Sequence, residues 1–185
     1  KIRDLEDLQV LCDLAVRSLD ELIDFQNYPI RAAEIATKAR RSLGVGYIGL
    51  AHYLAKNNVR YGDSDAWKLV HDLTEAFQYY LIRATVDLAK EKGACEYSSR
   101  TKYGQGILPI DTYKKEVDEI VPNELCYNWD DLREQVKQYG VRNSTLSAQM
   151  PSESSSVVSN ATNGIEPPRA YLSTKKSKKG TLKQV

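Results

Sequence analysis

The strongest pattern in the sequence is one long amphipathic helix near the middle of the chain. Between residues 64 and 92, apolar residues recur at three- and four-residue steps, the repeat of a single helix face. The residues of that face are Trp67, Val70, Thr74, Phe77, Leu81, Ala84 and Leu88. Asp63 or Ser64 can cap the helix at its start, and Gly93 can end it. This pattern predicts that a large share of the chain is helical.

Similar helical patterns cover most of the first 140 residues. The first runs from about Leu5 and ends before Pro29, because proline cannot continue a helix. Further helices are predicted for about Arg31–Leu43, from the end of a glycine-rich joint to about Lys56, around Thr112–Ile120, and for Asp130–Gln138, closed by Gly140. Residues 94–128 otherwise contain mostly loop.

The pattern changes after residue 140. A strand is predicted for Ser144–Met150, and a polar Ser/Asn/Thr-rich segment covers 152–163. Two further strands are predicted for Arg169–Thr174 and Thr181–Val185, with Lys175–Gly180 as a hairpin turn. Helices followed by a few strands indicate part of an α/β architecture within one domain, residues 1–185. Since the first residue is not Met and the last lies in a predicted strand, both ends are expected to be truncated.

Composition excludes several classes of partner. The formal net charge of the 185 residues is +1, so no broad basic field is available for nucleic acid. No apolar run approaches the roughly 18 residues that a membrane helix needs. The charged N-terminus does not resemble a signal peptide. Three widely spaced cysteines, Cys12, Cys95 and Cys126, argue against a disulfide framework or a zinc site, and a reducing, cytoplasmic setting fits best.

Four features of weaker diagnostic value have a structural interpretation. Gly44–Gly49 has the form G-x-G-x-x-G, but no buried strand precedes it, so a tight helix–helix joint is favoured over a nucleotide loop. Tyr79–Tyr80 is interpreted as a packed aromatic and its neighbour. Lys175–Lys179 is interpreted as a solvated hairpin tip. The fourth feature is the set of histidines and cysteines. His52 and His71 are expected to be structural. The thiols are expected to be buried and inert, and they are Cys12, Cys95 and Cys126.

The best candidate for chemistry is the segment from Met150 to Asn160. A strand, a proline and a run of small hydroxyl residues leading into a helical turn can form a phosphate cradle, because free amides at a helix start carry partial positive charge. A plain serine-rich helix cap would have a similar sequence. From the residues alone the two interpretations remain open.

Several strings of the sequence resemble one family closely and in order. These strings are Arg40–Gly46, Glu75–Tyr80, Gly106–Lys115, Arg142–Ala148, Met150–Ser155 and Ser159–Arg169. Together they resemble the large, catalytic subunit of class I ribonucleotide reductases, nearest to the bacterial and phage branch of class Ia. The likeness extends over nearly the whole chain.

The resemblance implies a fold and a substrate site. The family's catalytic domain is a ten-stranded α/β barrel, and this chain would supply part of its second half. Residues 1–140 would be mostly helical, and 141–185 would hold strands and a phosphate-binding loop. The substrate diphosphate would bind to Pro151, Ser152, Glu153, Ser154 and Ser155. Ser154 stands where some members have Thr, which keeps the hydroxyl.

The resemblance also implies an activity that this segment cannot complete. The parent enzyme would be an oxidoreductase of deoxyribonucleotide biosynthesis, supplying DNA replication. It would reduce ribonucleoside diphosphates through a thiyl radical and be regulated by ATP and dNTP effectors. A small subunit with a metal-linked radical would generate the thiyl, and thioredoxin or glutaredoxin would reduce the cysteines. The family's catalytic cysteines match none of Cys12, Cys95 and Cys126, so no catalytic residue, metal or cofactor is expected in this segment.

Two other interpretations remain open. The chain could be a natural piece of a split large subunit, inactive without the remainder of that subunit. It could instead be a phosphate-binding module without reductase activity. A nucleic-acid protein that used Lys175–Lys179 would require an affinity that falls steeply with salt.

Overall fold

A computed structural model describes residues 5–121, 124–177 and 180–184 of the chain. Within these ranges the elements are helices α1 Leu5–Phe25, α2 Arg31–Arg40, α3 Leu50–Lys56, α4 Ser64–Lys92, α5 Pro109–Thr112, α6 Val117–Ile120, α7 Trp129–Tyr139 and α8 Glu153–Ser159, with strands β1 Ser173–Ser177 and β2 Gly180–Gln184. None of the helices in these ranges has a stretch apolar and long enough for a membrane span. The helix-rich chain with a few late strands agrees with the predicted order of elements.

The chain divides into two compact units. The first unit comprises residues 1–45 and 70–147, and the second comprises residues 46–69 and 148–185. Most of α4 belongs to the first unit and supplies much of its core, with Leu81, Ile82 and Val86 fully buried. The other buried apolar residues of this unit include Leu8, Cys12, Val16 and Ile23 of α1, Trp129, Leu132 and Val136 of α7, and Val141 and Leu146. The periodicity of α4 predicted its core face in part: Phe77, Leu81, Ala84 and Leu88 are buried, whereas Val70 and Thr74 are half-buried and Trp67 is 38% exposed.

Helix ends are set by residues with positive φ. The predicted ends of α4 and α7 are confirmed, since Gly93 and Gly140 follow them with φ of 85° and 71°. Helix α2 ends at Arg40, three residues earlier than its pattern predicts. Arg41 adopts a left-handed conformation with φ 49° and ψ 47°, and its side chain forms a buried ion pair with Asp20. A tertiary contact, and not local propensity, therefore ends this helix.

Two predictions for irregular parts of the first unit are wrong. The predicted helix Thr112–Ile120 is split into α5 and α6, because Pro109 favours an earlier start and Tyr113 is extended with ψ 162°. The predicted strand Ser144–Met150 forms only an isolated parallel bridge, Val45↔Ser147, within the described residues. The amides of Leu43 and Val45 donate to the Thr145 and Leu146 oxygens, and the Ser144 amide donates to the Arg40 oxygen.

The hairpin of the second unit begins later than predicted. Strands β1 and β2 pair antiparallel, from Ser173↔Gln184 to Ser177↔Gly180. Lysines 175 and 176 therefore lie in β1 and not in the turn, whereas Lys178 and Lys179 lie outside the described residues. Thr174, Lys176, Thr181 and Lys183 are all exposed. Since these four side chains share one exposed face of the hairpin, lysine at position 176 is compatible with the strand.

The glycine-rich stretch lies in the segment between the end of α2 and the start of α3. Gly49 has φ 74° and precedes the first residue of α3. In the second unit, Gly46 packs so closely on Ala148 that a Cβ atom at Gly46 would lie 2.2 Å from the Ala148 oxygen. No side chain larger than hydrogen fits there without displacing backbone. Close packing, and not phosphate binding, accounts for Gly46.

Replacing Gly46 by alanine should destabilise the protein by roughly 1–3 kcal/mol, the usual cost of forcing an extra methyl into a packed site. The matched control is Gly62→Ala, since a Cβ atom there meets nothing within 4 Å. Urea unfolding followed by circular dichroism measures both variants. Equal stability of the two variants would contradict the packing role of Gly46.

Candidate phosphate-binding site

The predicted site residues lie together at the start of α8. Pro151 and Ser152 precede the helix, and Glu153, Ser154 and Ser155 form its first turn. Ser152 is half-buried, and the other four residues are exposed. Most of this segment is therefore open to solvent.

Backbone hydrogen bonds within the second unit hold this segment. The Ser152 amide donates to the Asn163 oxygen at 2.7 Å, and the Ser156 amide donates to the Ser152 oxygen at 3.2 Å. Ser156 is fully buried, and its hydroxyl donates to the Glu153 oxygen at 2.9 Å. The Ala161 amide donates to the Ser156 oxygen and closes the end of the helix. The segment is thus fixed by the return of the chain through 160–163.

That return is itself anchored in the second unit. The Gly49 amide donates to the Thr162 oxygen at 3.0 Å, and a Cβ atom at Gly49 would lie 3.2 Å from the Ala161 Cβ. The Tyr61 hydroxyl donates to the Ile165 oxygen at 3.0 Å. These supports were missed by sequence reasoning. The sequence signal for this close approach of two backbone segments was the glycine at position 49, next to a predicted helix.

The first turn of α8 presents hydrogen-bond donors outward. Amides in the first turn of a helix have no partner four residues earlier, and the Ser152 side chain makes no cap hydrogen bond to them. The Ser152 and Ser155 hydroxyl oxygens lie 2.7 Å apart. Glu153 places one carboxylate in the same turn, which opposes binding of an anion. Amides and small hydroxyls can nevertheless receive phosphate oxygens at close range.

Tyr79 and Tyr80 form part of an aromatic cluster in the first unit. The Tyr79 ring stacks on Tyr127 with centroids 4.6 Å apart and meets Trp129 edge-on at 5.4 Å. Tyr80 is buried and meets the Tyr127 ring edge-on at 5.3 Å. Burial raises the pKa of Tyr79 and, together with a hydrogen bond that the Tyr127 hydroxyl donates to Tyr80, that of Tyr127. The packed-aromatic interpretation is confirmed.

The cysteines and histidines differ in environment. Cys12 and Cys95 are buried as predicted, and burial raises the pKa of Cys12 to about 12. Cys126 is exposed, so its predicted burial is wrong: its amide reaches the buried Glu75 carboxylate while its side chain faces solvent. His52 is exposed and His71 is half-buried. In residues 5–121, 124–177 and 180–184, no three His, Cys, Asp or Glu side chains are placed to hold a metal ion.

A buried charge cluster in the first unit was not foreseen from the sequence. Asp20 of α1 is completely buried and accepts from the Arg41 Nε at 2.6 Å and the Arg142 Nε at 3.2 Å. The Asn143 side-chain amide also donates to this carboxylate, at 3.0 Å. One signal was available, because Asp20 lies on the apolar face of α1 with Val16 and Ile23. An acid on a buried face requires a cationic partner.

Two further contacts complete the cluster. The Arg41 guanidinium also contacts Asp24, with Nη2 2.7 Å from the carboxylate. Asn143 is fully buried, and its amide and side-chain oxygen both contact the Thr85 hydroxyl, at 2.9 and 2.8 Å. Two acids and two arginines give a balanced charge. The cluster joins α1, the end of α2, α4 and residues 142–143.

The titration of Asp20 follows from these contacts. Burial alone would raise the pKa of Asp20, but the Arg41 hydrogen bond and the charges of Arg142 and Arg41 outweigh burial and lower it. For Arg41, burial alone would lower the pKa, whereas the bonds to Asp24 and Asp20 raise it. Both groups are therefore charged near neutral pH, and each buried charge is stabilised by the other in place of water.

Comparisons with known proteins identify the family. The family model described as the ribonucleotide reductase barrel domain matches residues 1–185. The chain is 58% identical over 185 residues to a ribonucleoside-diphosphate reductase subunit alpha of Haemophilus influenzae, covering all of this chain and 24% of that protein. It is 57% identical over 163 residues to the ribonucleoside-diphosphate reductase 1 subunit alpha of Escherichia coli, of which it covers 21%. It is 50% identical over 183 residues to the ribonucleoside-diphosphate reductase subunit alpha of phage T4, of which it covers 24%.

The chain therefore belongs to the ribonucleotide reductase barrel-domain family. It spans about a quarter of the length of the curated relatives that it matches. The predicted resemblance to the large subunit is confirmed over the whole chain.

Replacing Asp20 by asparagine should cost roughly 3–5 kcal/mol of stability, because it removes one partner from a buried ion pair. Since the folded-state pKa of Asp20 lies below its ordinary 3.8, the charged pair stabilises the fold above pH 3.8. That contribution disappears as the pH falls through the lowered folded-state value. The Asp20→Asn variant should accordingly lose less stability than wild type between pH 5 and pH 2.5.

The matched control for this prediction is Asp24→Asn. The Asp24 side chain is 46% exposed and shares Arg41 with Asp20, so its loss should cost about 1 kcal/mol or less. Urea unfolding at a series of pH values measures both variants. A similar cost for Asp20→Asn and Asp24→Asn would show that the buried pair is not a major source of stability.

Proposed function

We propose that this chain forms part of the large subunit of a ribonucleoside-diphosphate reductase. In this proposal the complete subunit reduces ribonucleoside diphosphates to 2′-deoxyribonucleoside diphosphates, and this segment binds the substrate diphosphate. The observation that carries the proposal is the match of the barrel-domain family model to every residue of the chain. The names of the relatives, which are ribonucleoside-diphosphate reductase alpha subunits, supply the activity.

The proposed diphosphate contacts come from Pro151, Ser152, Glu153, Ser154 and Ser155. Backbone amides of the first turn of α8 would donate to phosphate oxygens, and the serine hydroxyls would add further donors. Three features support this assignment: the exposure of the segment, its fixed backbone and its amides without intrahelical partners. The task of these residues would be to orient the ribose, while the Pro151 ring would limit the backbone conformations that precede the helix.

The remaining chemistry in this proposal comes from outside the chain. We infer that the complete subunit contains the family's ten-stranded barrel. Its reaction would use a thiyl radical on a cysteine that this segment does not contain. A small subunit would supply the radical through its metal centre. Thioredoxin or glutaredoxin would return the reducing equivalents, and ATP and dNTPs would act as effectors elsewhere on the subunit. The proposed location is the cytoplasm, where such reductants are present.

Replacing Ser154 by alanine in a complete subunit that carries this segment should raise the KM for ribonucleoside diphosphates about tenfold, since a hydrogen bond to a charged group contributes roughly 1.5–3 kcal/mol. The value of kcat should change little, because Ser154 binds ground state and transition state alike. The control is Ser159→Ala, since the Ser159 hydroxyl lies at the opposite end of α8 and donates to the Ser155 oxygen. Steady-state kinetics distinguish the two variants, and equal effects on KM would contradict the assignment.

The 185-residue chain alone should show no reductase turnover, because no radical-forming cysteine is assigned within it. The measurement is deoxyribonucleotide formation in the presence of a small subunit and a thioredoxin system. Turnover without any other large-subunit chain would contradict the proposal. Tight binding of inorganic diphosphate by the chain alone, measured by calorimetry, would instead favour the phosphate-binding module.

A further inference from the structure

Helix α1 carries apolar residues on two different faces. One face is buried in the first unit and contains Leu8, Cys12, Val16 and Ile23. A second face is exposed and contains Leu11, Leu14, Leu22 and Phe25, with exposed fractions of 44%, 55%, 56% and 88%. A helix that is apolar on most of its circumference is typical of a position buried from both sides.

The exposed residues form one continuous line along the helix. Leu11, Leu14, Ser18, Leu22 and Phe25 follow steps of three and four residues, and we call this set the α1 stripe. At 100° per residue they fall within an arc of about 80°, and from first to last they extend roughly 20 Å. The stripe contains no charged residue. Val10, which is 60% exposed, extends the apolar surface at one side.

Charged residues at the edges of α1 form ion pairs within the first unit. Arg17 binds Asp13 of its own helix at 2.9 Å and Glu91 of α4 at 2.6 Å. Glu21, at the edge of the stripe, pairs with Lys92. With Asp20 anchored in the buried cluster, these contacts fix the rotation of α1 about its axis. The stripe is therefore a preformed surface and not the result of a loosely attached helix.

The composition of the stripe indicates a permanent partner. Surfaces that bind partners transiently are about as polar as the rest of a protein, whereas obligate contacts resemble a core. Isolated soluble domains rarely expose a large contiguous apolar patch. Four large apolar residues with a single small serine between them match a core contact. A polar or charged ligand would gain little from this surface.

We propose that the α1 stripe is covered by the portion of the same large subunit that this chain does not contain. The chain spans 24% of the Haemophilus influenzae relative, so three quarters of that subunit's length lies outside the matched segment. In α/β domains, helices pack their apolar faces on a sheet. Among the described residues the two paired strands are β1 and β2, whose described side chains are exposed and lie in the second unit. The occupant is accordingly an apolar face of the rest of the barrel domain. This inference rests on the proposed place of the chain in a large subunit, but not on the proposed diphosphate site, so the two can fail separately.

The test is hydroxyl-radical footprinting with mass spectrometry on a complete subunit. Residues 1–185 replace the matching segment of the Haemophilus influenzae relative, and oxidation rates of Phe25, Leu14 and Leu22 are compared with those of the same protein unfolded in urea. At least tenfold slower oxidation of all three in the folded subunit is expected. Rates close to those of the unfolded protein would overturn the proposal, because they would leave the stripe in solvent.

Two further outcomes contradict the proposal. Protection that appears only as the subunit concentration rises, in step with self-association in sedimentation, would assign the stripe to a second copy. A chimera that fails to fold while the unmodified relative folds would mean that the stripe does not fit the rest of the subunit.

A pair of substitutions adds an independent readout. The double variant Leu14→Lys/Leu22→Lys should lower the melting temperature of the complete subunit by several degrees, because it would bury two charges. Gln9→Lys, at an exposed position of α1 outside the stripe, should leave the melting temperature unchanged. Equal melting temperatures of the double variant and the Gln9 control would overturn the proposal.

Discussion

The buried carboxylate of Asp20 organises the first unit of this protein. It joins α1 to Arg41 after α2 and to Arg142 and Asn143, which are distant in sequence. An ionised carboxylate inside a protein is tolerated only with such partners, so the positions of all four residues are linked. The Asp20 carboxylate therefore fixes the end of α2 and residues Arg142 and Asn143 beside α1.

The candidate site follows this cluster in sequence but belongs to the second unit. Residues 142–147 lead directly into Ala148 and then to Pro151, the first residue of the proposed diphosphate contact. In the second unit, the site segment is held by separate hydrogen bonds, notably from the Ser152 amide to the Asn163 oxygen. A phosphate group is bound best by donors that do not have to be rearranged. In the proposed site, the backbone of residues 151–156 supplies such fixed donors.

Sequence patterns predicted the long helices better than the irregular parts. Periodicity located α1, α4 and α7, because apolar residues recur there at three- and four-residue steps. It failed where a distant contact decides local structure: Arg41 ends α2, Glu75 holds the exposed Cys126 segment, and Val45 gives residues 144–150 a single bridge. Segment 150–160 was singled out from its own residues, whereas the diphosphate role of residues 151–155 comes from the resemblance to a family and stays a prediction. The Asp20 cluster was missed because its partners lie 21 and 122 residues away.

The most direct test of the proposed diphosphate site is an experimental structure of a complete subunit, containing this segment, with a bound ribonucleoside diphosphate. We expect diphosphate oxygens at hydrogen-bond distance, roughly 2.7–3.2 Å, from backbone amides between Ser152 and Ser155. The α8 helix should keep its present start at Glu153. A diphosphate bound elsewhere, with residues 151–155 free in solvent, would contradict the proposed site.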